Sequence, residues 1–352
     1  VIVHQWVPAA HAGDAVGGHA LAIRALLRAR GHESELFALQ IDPALVDDAR
    51  PFTDANARDG DVTILHFASA SPMSDAFARL PGTRVLDYHN VTPAAFFADF
   101  DPDLAALASA ARRELAALAG KVDLALGDSE FSRAELEALG FASTGVLPVA
   151  VDATRLRDAP ARPALERLLQ DGLANILFVG RIAPNKKIED HLRLAEHYKR
   201  YVDADARFIF AGRTDACPGY YRSVQAMLDE YRMLPERFVF TGGIPDADLA
   251  AYYRHAHAYV SLSEHEGFGV PLVEAMAMDV PVVAYGATAI PETLGGAGLS
   301  FAPKDLELAA ELLGTAVYDE RVRHDVITGQ RRRLDAFAPA AFERRLLEVL
   351  EL

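Results

Sequence analysis

The sequence predicts an α/β protein built from two doubly wound parallel-sheet domains. Three observations carry this. Short β-rich apolar runs alternate with longer helical patterns along the 352 residues. No repeat, low-complexity tract or apolar run of 18 residues interrupts the alternation. A stretch rich in Pro and Ala, Asp158 to Pro163, separates two such series. Alternating β and α elements imply parallel sheets with helices on both faces. A chain of this length, at roughly 150 residues per domain, can build two cores.

In the first half the predicted strands are Val1–Trp6, Ser34–Ala38, Val62–Phe67, Arg84–Tyr88 and Leu124–Leu126. Apolar residues at helical spacing mark Leu21–Ala29 and Leu104–Leu118 as helices. Asp128 and Ser129 can cap another, Glu130 to Leu139, which ends at Gly140. Val146–Asp152 reads as a further strand. The second half offers strands at Ile176–Val179, Phe208–Ala211, Phe238–Thr241, Ala258–Leu262 and Val280–Ala284. Phe337 to Leu352 is a final amphipathic helix with no strand after it. The expected division is a first domain over 1–152, a linker over 153–172, a second domain over 173–335 and a closing helix over 336–352. A cleft between two such domains is a common place for a ligand.

Composition narrows the partners. Thirty-five Lys and Arg against fifty Asp and Glu leave a net charge of -15. That balance argues against duplex nucleic acid, which is bound largely by phosphate neutralisation. Residues 1–150 hold eleven Lys and Arg against twenty Asp and Glu, net -9, which argues against electrostatic docking on anionic lipid. Other peripheral membrane contact stays open. Cys217, the only cysteine, permits neither an internal disulfide nor a multi-cysteine zinc site and reads as a small buried hydrophobe. The chain opens inside an apolar strand, so a few residues are expected before Val1, and no signal-peptide layout is seen. A cytoplasmic location is the expectation.

Several nucleotide-fold motifs fail. Gly13 and Gly18 have P-loop spacing, but His19 stands where the phosphate-binding Lys belongs. No G-x-G-x-x-G follows a strand, and G-x-S-x-G and H-E-x-x-H are absent. D-x-D, a divalent-metal pair elsewhere, occurs five times, too often in an Asp-rich chain to carry meaning.

Four pieces survive. Gly17-Gly18 lies between the first strand and the Leu21 helix, where backbone N–H groups and a helix dipole can meet a phosphate. A plain turn is the alternative. Gly180-Arg181-Ile-Ala-Pro-Asn-Lys186 follows a buried strand, so it lies at the carboxyl end, where parallel sheets bind ligands. Arg181 offers a rigid fork and Lys186 a mobile point charge, a pairing suited to a diphosphate.

The third piece runs from Ser263 through Glu266 and Glu274 to Ala277. Pro271 fits the first turn of a helix, and the loop glycines free the N–H groups of Phe268, Gly269, Val270 and Leu272. Two carboxylates accepting hydroxyl hydrogen bonds suit a sugar at one end and a ribose at the other. The Glu spacing alone proves little, since Glu343/Glu351 repeats it. The fourth piece is Tyr88-His89-Asn90 at a strand end, with a hydrogen-bonded structural histidine as the alternative. His19, His66 and His265 read as structural or surface residues.

Together these pieces resemble retaining glycosyltransferases of family 4, which have the GT-B fold of two Rossmann-like domains facing across a cleft. The resemblance covers nearly the whole chain. It rests on G-R-I-A-P-N-K-K, on S-E-H-E-G-F-G-V-P-L-V-E-A-M-A, on A-I-P-E at Ala289–Glu292 and on the final helix, which resembles one that crosses back to the first domain. Y-H-N-V-T-P is similar to bacterial members that build surface polysaccharides. Lys187 and Asp279 stand where Gly is frequent.

The resemblance implies roles. Arg181, Lys186, Val270 and Leu272 would hold the donor diphosphate, with the Gly18 N–H opposite. Glu266, Phe268 and Gly269 would bind the donor sugar, and Glu274 the ribose. His89 and Glu266 would be the catalytic pair, His89 near the departing bond. The donor would be a nucleoside-diphosphate sugar and the acceptor a hydroxyl, with anomeric configuration kept by front-face attack. No cofactor and no divalent metal are expected, because Arg and Lys neutralise the leaving charge. Donor base, sugar, acceptor and oligomeric state stay open, with Asp42–Asn56 and Val91–Asp103 as acceptor-loop candidates. A nucleotide-sugar epimerase, a glycan phosphorylase or a non-catalytic sugar-nucleotide-binding subunit are the alternatives.

Overall fold

In a computed structural model, residues 1–11 and 13–352 are described. The chain divides into two units. The first comprises Val1–Ala94, Ala105–Val151 and Ala336–Leu352, and the second Ala95–Leu104 and Asp152–Asp335.

The first unit holds a seven-stranded sheet: β1 (Val3–Ala10), β2 (Leu36–Ile41), β3 (Arg50–Pro51), β4 (Val62–Phe67), β5 (Thr83–Tyr88), β6 (Leu124–Gly127) and β7 (Thr144–Val146). Their order is β3-β2-β1-β4-β5-β6-β7, and every pairing is parallel. The second unit holds β8 (Ala174–Val179), β9 (Ala206–Ala211), β10 (Phe238–Gly242), β11 (Ala258–Ser261), β12 (Val282–Tyr285) and β13 (Leu299–Phe301). Their order is β10-β9-β8-β11-β12-β13, again parallel. This is the fold class that the alternation predicts. β8 and β9 are apolar nearly throughout because helices cover both faces.

Strand order reverses between β1 and β4 in one sheet and between β8 and β11 in the other. Loops leaving neighbouring strands diverge there and open a crevice at the carboxyl ends. Both functional clusters described below stand at these two points.

The differences from the sequence reading have physical reasons. β3 has two residues at a sheet edge and β13 has three, too short for a periodic signal. The strand expected over Val146–Asp152 pairs earlier, as β7. The segment 95–104, expected in the first domain, packs in the second unit. Phe100 lies edge-on to Tyr220 at 5.1 Å between ring centroids, and a Cβ on Gly219 would meet the Phe100 carbonyl at 2.1 Å. The stretch 153–172, expected to link domains, belongs to the second unit and buries Leu156 and Leu169.

The closing helix Pro339–Leu350 packs in the first unit. Phe342, Leu346 and Leu350 recur at helical spacing on one face and join Val3, Ile23, Ile64, Val85 and Leu126 in a single apolar cluster. Each such side chain contributes about 1.5–3 kcal/mol by burial. Among the described residues no helix is long and apolar enough to cross a membrane. Leu346→Ala, at a fully buried position, should cost about 2–5 kcal/mol of stability. Arg344→Ala on the exposed face should cost nearly nothing. Thermal unfolding of the two variants checks this.

Candidate functional site

In the second unit, two loops leave the adjacent strands β8 and β11 at their carboxyl ends. The first carries Gly180 to Lys187 and closes with a short turn of 3-10 helix, Pro184–Lys186. The second carries Ser263 to Gly269 and runs into the helix Val270–Ala277. Asn185, buried between them, staples the pair. Its side-chain amide donates to the His265 carbonyl at 3.0 Å, and its own carbonyl accepts from the Glu264 N–H at 2.9 Å.

That staple brings Lys186 onto Glu266, Nζ to Oε1 at 2.5 Å, both side chains mostly buried. Arg181 is exposed and its guanidinium has no partner among the described residues. One cation is therefore already matched to a carboxylate and the other is open to an anion. Glu264 is held elsewhere, by Lys304 at 3.0 Å and Lys187 at 3.7 Å.

Sequence reasoning missed Thr288. Its hydroxyl accepts from the Glu266 N–H at 2.9 Å and donates to the Glu266 carbonyl at 3.0 Å, so it grips the carboxylate's backbone on both sides. Thr288 sits at φ 51°, a left-handed conformation that β-branched residues rarely adopt. Lys187 and Asp279 lie at φ 53° and 57°. Both stand where the resemblance expects Gly, and the left-handed backbone explains why Gly would be frequent there.

Glu274 lies in the helix Val270–Ala277, nearly buried. Arg155 donates to its Oε1 at 2.6 Å and the Tyr253 hydroxyl to its Oε2 at 3.1 Å. Arg155 also pairs with Asp246. Burial raises the Glu274 pKa, against the opposing pull of Arg155 and Tyr253. A carboxylate accepts about four hydrogen bonds, so two partners leave capacity for ribose hydroxyls. Arg155 and Tyr253 carried no sequence signal, since their partners lie 119 and 21 residues away.

Two expected backbone donors are already engaged. The first helix begins at Ala15, not Leu21, so Gly18 is inside it and its N–H donates to the Asp14 carbonyl at 2.9 Å. Gly17 makes the tight approach instead, where a Cβ would meet the His11 carbonyl at 2.8 Å. The Leu272 N–H likewise donates to the Gly269 carbonyl at 2.9 Å. Val270 is the first residue of its helix, where N–H groups have no helical acceptor. Phe268 is buried, and its carbonyl accepts from the Thr293 hydroxyl at 2.5 Å. Gly269 caps the helix at φ 93°.

His89 stands in the first unit, in a buried cluster drawn from the strands around the reversal of order. Gln5 comes from β1, His66 from β4, Asp87 from β5 and Asp128 from the end of β6, while His19 comes from the helix Ala15–Ala29. His89 Nδ1 lies 3.0 Å from Asp128 Oδ1, and its Nε2 lies 3.0 Å from His66 Nδ1 and 3.5 Å from Asp87 Oδ2. His66 Nε2 lies 2.9 Å from Gln5 Oε1, and His19 Nε2 lies 2.9 Å from Asp87 Oδ2. His19 and His66 are therefore central to this cluster. They follow from no spacing rule, being single residues on separate elements. Asp128 reaches His89, and Ser129, at the N-cap of the helix Glu130–Ala138, accepts from the Ser132 N–H at 3.2 Å.

Electrostatics follow the geometry. Burial pushes His66 down to about 4. Burial also presses on His89, but the Asp128 and Asp87 carboxylates, the Asp128 hydrogen bond and Asp14 outweigh it and raise His89 to about 9. Burial would raise Asp87, yet His89 and His19 hold it well below the usual carboxylate range, whereas burial leaves Asp128 raised.

His19 Nε2, His66 Nδ1, Asp87 Oδ2 and His89 Nε2 lie within 4.8 Å of one another, a spacing that could admit a metal ion. Protons argue otherwise. The Ala150 N–H donates to His19 Nδ1 at 2.9 Å, so neutral His19 carries its proton on Nε2 and donates it to Asp87. A lone pair there would require that backbone bond to break. The four groups therefore form a hydrogen-bonded network.

The match to a known family falls in the second unit. Residues 166–333 match the family described as "Glycosyl transferases group 1". O-antigen chain mannosyltransferase B of Escherichia coli is 27% identical over 205 residues, 57% of this chain and 53% of that protein. The 2-deoxystreptamine N-acetyl-D-glucosaminyltransferase of Streptomyces fradiae is 29% identical over 248 residues, 68% of this chain and 57% of that protein. The chain thus spans about half the length of these curated relatives. The Anabaena protein HepE, crystallised with UDP and glucose, superposes with a TM-score of 0.77 at 15% identity over 99% of both chains, which shows the fold.

The Thr288 grip is testable without a ligand. Thr288→Val keeps the shape and removes both hydroxyl bonds to Glu266. The Glu266 amide should then exchange with solvent roughly fivefold faster, the equivalent of one hydrogen bond of about 1 kcal/mol. Amide exchange read by NMR checks it.

Proposed function

We propose that the protein is a glycosyltransferase that moves a hexose-type sugar from a nucleoside-diphosphate sugar to a hydroxyl acceptor, keeps the anomeric configuration and requires no metal ion. The carrying observation is the meeting of Lys186 and Glu266 from two loops at one strand-order reversal, with Arg181 open beside them in sequence. The group 1 match over 166–333 and the sugar-transferring names of the relatives support it.

Lys186 and Glu266 neutralise each other until a donor arrives. A diphosphate then takes Lys186 and Arg181, and the sugar hydroxyls take the released Glu266 carboxylate. Each partner exchanges one charged contact for another, so a partly buried charge is never left alone. The Val270 amide, at a helix N-terminus, adds a donor to the phosphate, and Phe268 and Gly269 line the sugar. Glu274, oriented by Arg155 and Tyr253, accepts from the ribose. For His89 the resemblance implies a contact to the donor sugar.

The acceptor oxygen attacks the anomeric carbon on the face from which the phosphate departs. The carbon–phosphate-oxygen bond breaks, and the acceptor's hydroxyl proton passes to the leaving phosphate. Arg181 and Lys186 stabilise the charge that grows there. A cytoplasmic location goes with this reading.

Arg181→Ala should weaken nucleoside diphosphate by about 10- to 150-fold, one charge-assisted contact of about 1.5–3 kcal/mol, and leave the nucleoside nearly unaffected. Calorimetry with both ligands, run in excess EDTA, tests the cation and the metal independence together. Equal weakening of the two ligands, or diphosphate binding lost until Mg²⁺ is restored, contradicts the proposal.

Glu266→Gln should lower single-turnover transfer strongly while affinity for free diphosphate changes little. Glu274→Gln should weaken the diphosphate itself, because its partner is ribose. Glu264→Gln should do neither, its carboxylate being held by Lys304 and Lys187. Loss of turnover in Glu264→Gln with Glu266→Gln active would place the site in the wrong register.

A further inference from the structure

The buried histidines of the first unit form a chain whose proton positions can be read from one end to the other. The Gln5 side-chain amide donates to the Ala20 carbonyl at 3.0 Å, which fixes its oxygen toward His66. That oxygen can only accept, so His66 carries a proton on Nε2 and donates it at 2.9 Å. Burial keeps His66 neutral, so its Nδ1 is a bare acceptor. Three ångströms away stands His89 Nε2, which must therefore donate. On its other side His89 Nδ1 faces the Asp128 carboxylate at 3.0 Å, which also only accepts when ionised.

We propose that His66, set by Gln5, is a positioning residue that obliges His89 to keep a proton on Nε2. With acceptors on both sides, His89 satisfies both hydrogen bonds only as imidazolium. A neutral His89 has one proton for two acceptors and forfeits one bond in this dry setting. His89 is thus a fixed positive charge at neutral pH, not a base that takes the acceptor's proton. This deepens the reading of His89 at the donor sugar and rests on that reading only where turnover is measured.

The groups facing His89 are Asp14 and His19 from the first helix and its cap, His66 from β4, Asp87 from β5 and Asp128 after β6. Asp14, Asp87 and Asp128 favour the proton, and His66 sets its place. Take the His66 acceptor away and neutral His89 gains a comfortable alternative. It can hold its single proton on Nδ1, keep the Asp128 bond and leave Nε2 bare. Its affinity for the second proton falls accordingly. Removing Gln5 acts one step earlier, since His66 can then move its proton to Nδ1 and donate to Asp87 Oδ2, 3.2 Å away.

The test is a pH titration of the full chain labelled with ¹⁵N-histidine. In the wild type, His66 should show a protonated Nε2 and a bare Nδ1, and His89 should titrate near 9 with both nitrogens protonated below that. His66→Phe and Gln5→Met should each lower the His89 midpoint by about one pH unit or more, a tenfold loss of proton affinity. His66→Asn, whose side-chain oxygen replaces Nδ1 as acceptor, should restore it. A wild-type His66 protonated on Nδ1, or a His89 midpoint unmoved in both variants, overturns the proposal. If His66→Phe does not fold, Gln5→Met and the wild-type spectra decide.

Turnover at saturating donor forms a separate arm. Its alkaline limb should follow the His89 midpoint downward in the variants, with kcat changed and KM for the donor changed less than about twofold. A midpoint that moves while turnover ignores it supports the proton chain and refutes the role given to His89 in the transfer.

Discussion

Parallel pairing of β8 with β11 at the reversal of strand order is the constraint on which the second-unit site depends. Parallel neighbours send their following loops out of the same end of the sheet. Residues 180–187 and 263–269, some eighty positions apart, are thereby forced side by side. Asn185 then converts nearness into register, because one residue bonds the second loop through both its side chain and its carbonyl. Lys186 cannot avoid Glu266 once that staple is made. An antiparallel arrangement of the same sequence segments would put the two loops at opposite ends of the sheet.

The first unit applies the same geometry to a different material. Its reversal lies between β1 and β4, and there the strands project polar side chains into a buried space: Gln5, His66 and Asp87, with His89 just beyond. Buried polar groups are tolerable only when each donor finds an acceptor. The cluster nearly meets that demand, ending on the backbone at Ala20 and Ala150. Asp87 Oδ1 is the exception, buried with no hydrogen-bond partner. Its other oxygen gathers His19 and His89, so the charge is answered although one lone-pair face is not.

How much of this could be read from sequence follows from how far apart the interacting residues lie. The alternation of elements is local, and it yields ten strands within a few residues of their places, while the eleventh, Val146–Asp152, pairs earlier as β7. The pieces around Lys186 and Glu266 are local too, because a strand, a glycine loop and a Pro-started helix occur together in one window. The partners of those residues are not. Thr288 meets Glu266 across 22 residues, Arg155 meets Glu274 across 119, and His66 meets Gln5 across 61. No periodicity links such pairs, so only the folded sheet discloses them. Gly18 erred for the opposite reason. The helix starts a turn and a half earlier than its apolar pattern, since Ala15 to Gly18 are small or weakly patterned, and the glycine amide is drawn into the helix.

Backbone strain completes the argument about the second-unit site. Lys187 directly follows Lys186, Thr288 grips Glu266, and Asp279 ends the turn after the helix that carries Glu274. All three occupy left-handed conformations as non-glycine residues, at a cost of about 1 kcal/mol or more each. Each has an interaction that glycine could not provide: Lys187 pairs with Glu189 at 3.1 Å, Asp279 takes Arg331 in two bonds of 2.7 Å, and Thr288 uses its hydroxyl twice. The exposed Asp279 pair offsets little, because solvent screens it. Thr288 differs, since both its bonds act on the backbone of the carboxylate assigned to the sugar. A strained residue persists where the surrounding structure over-determines it. Here the surrounding structure is the loop that holds Glu266 against Lys186.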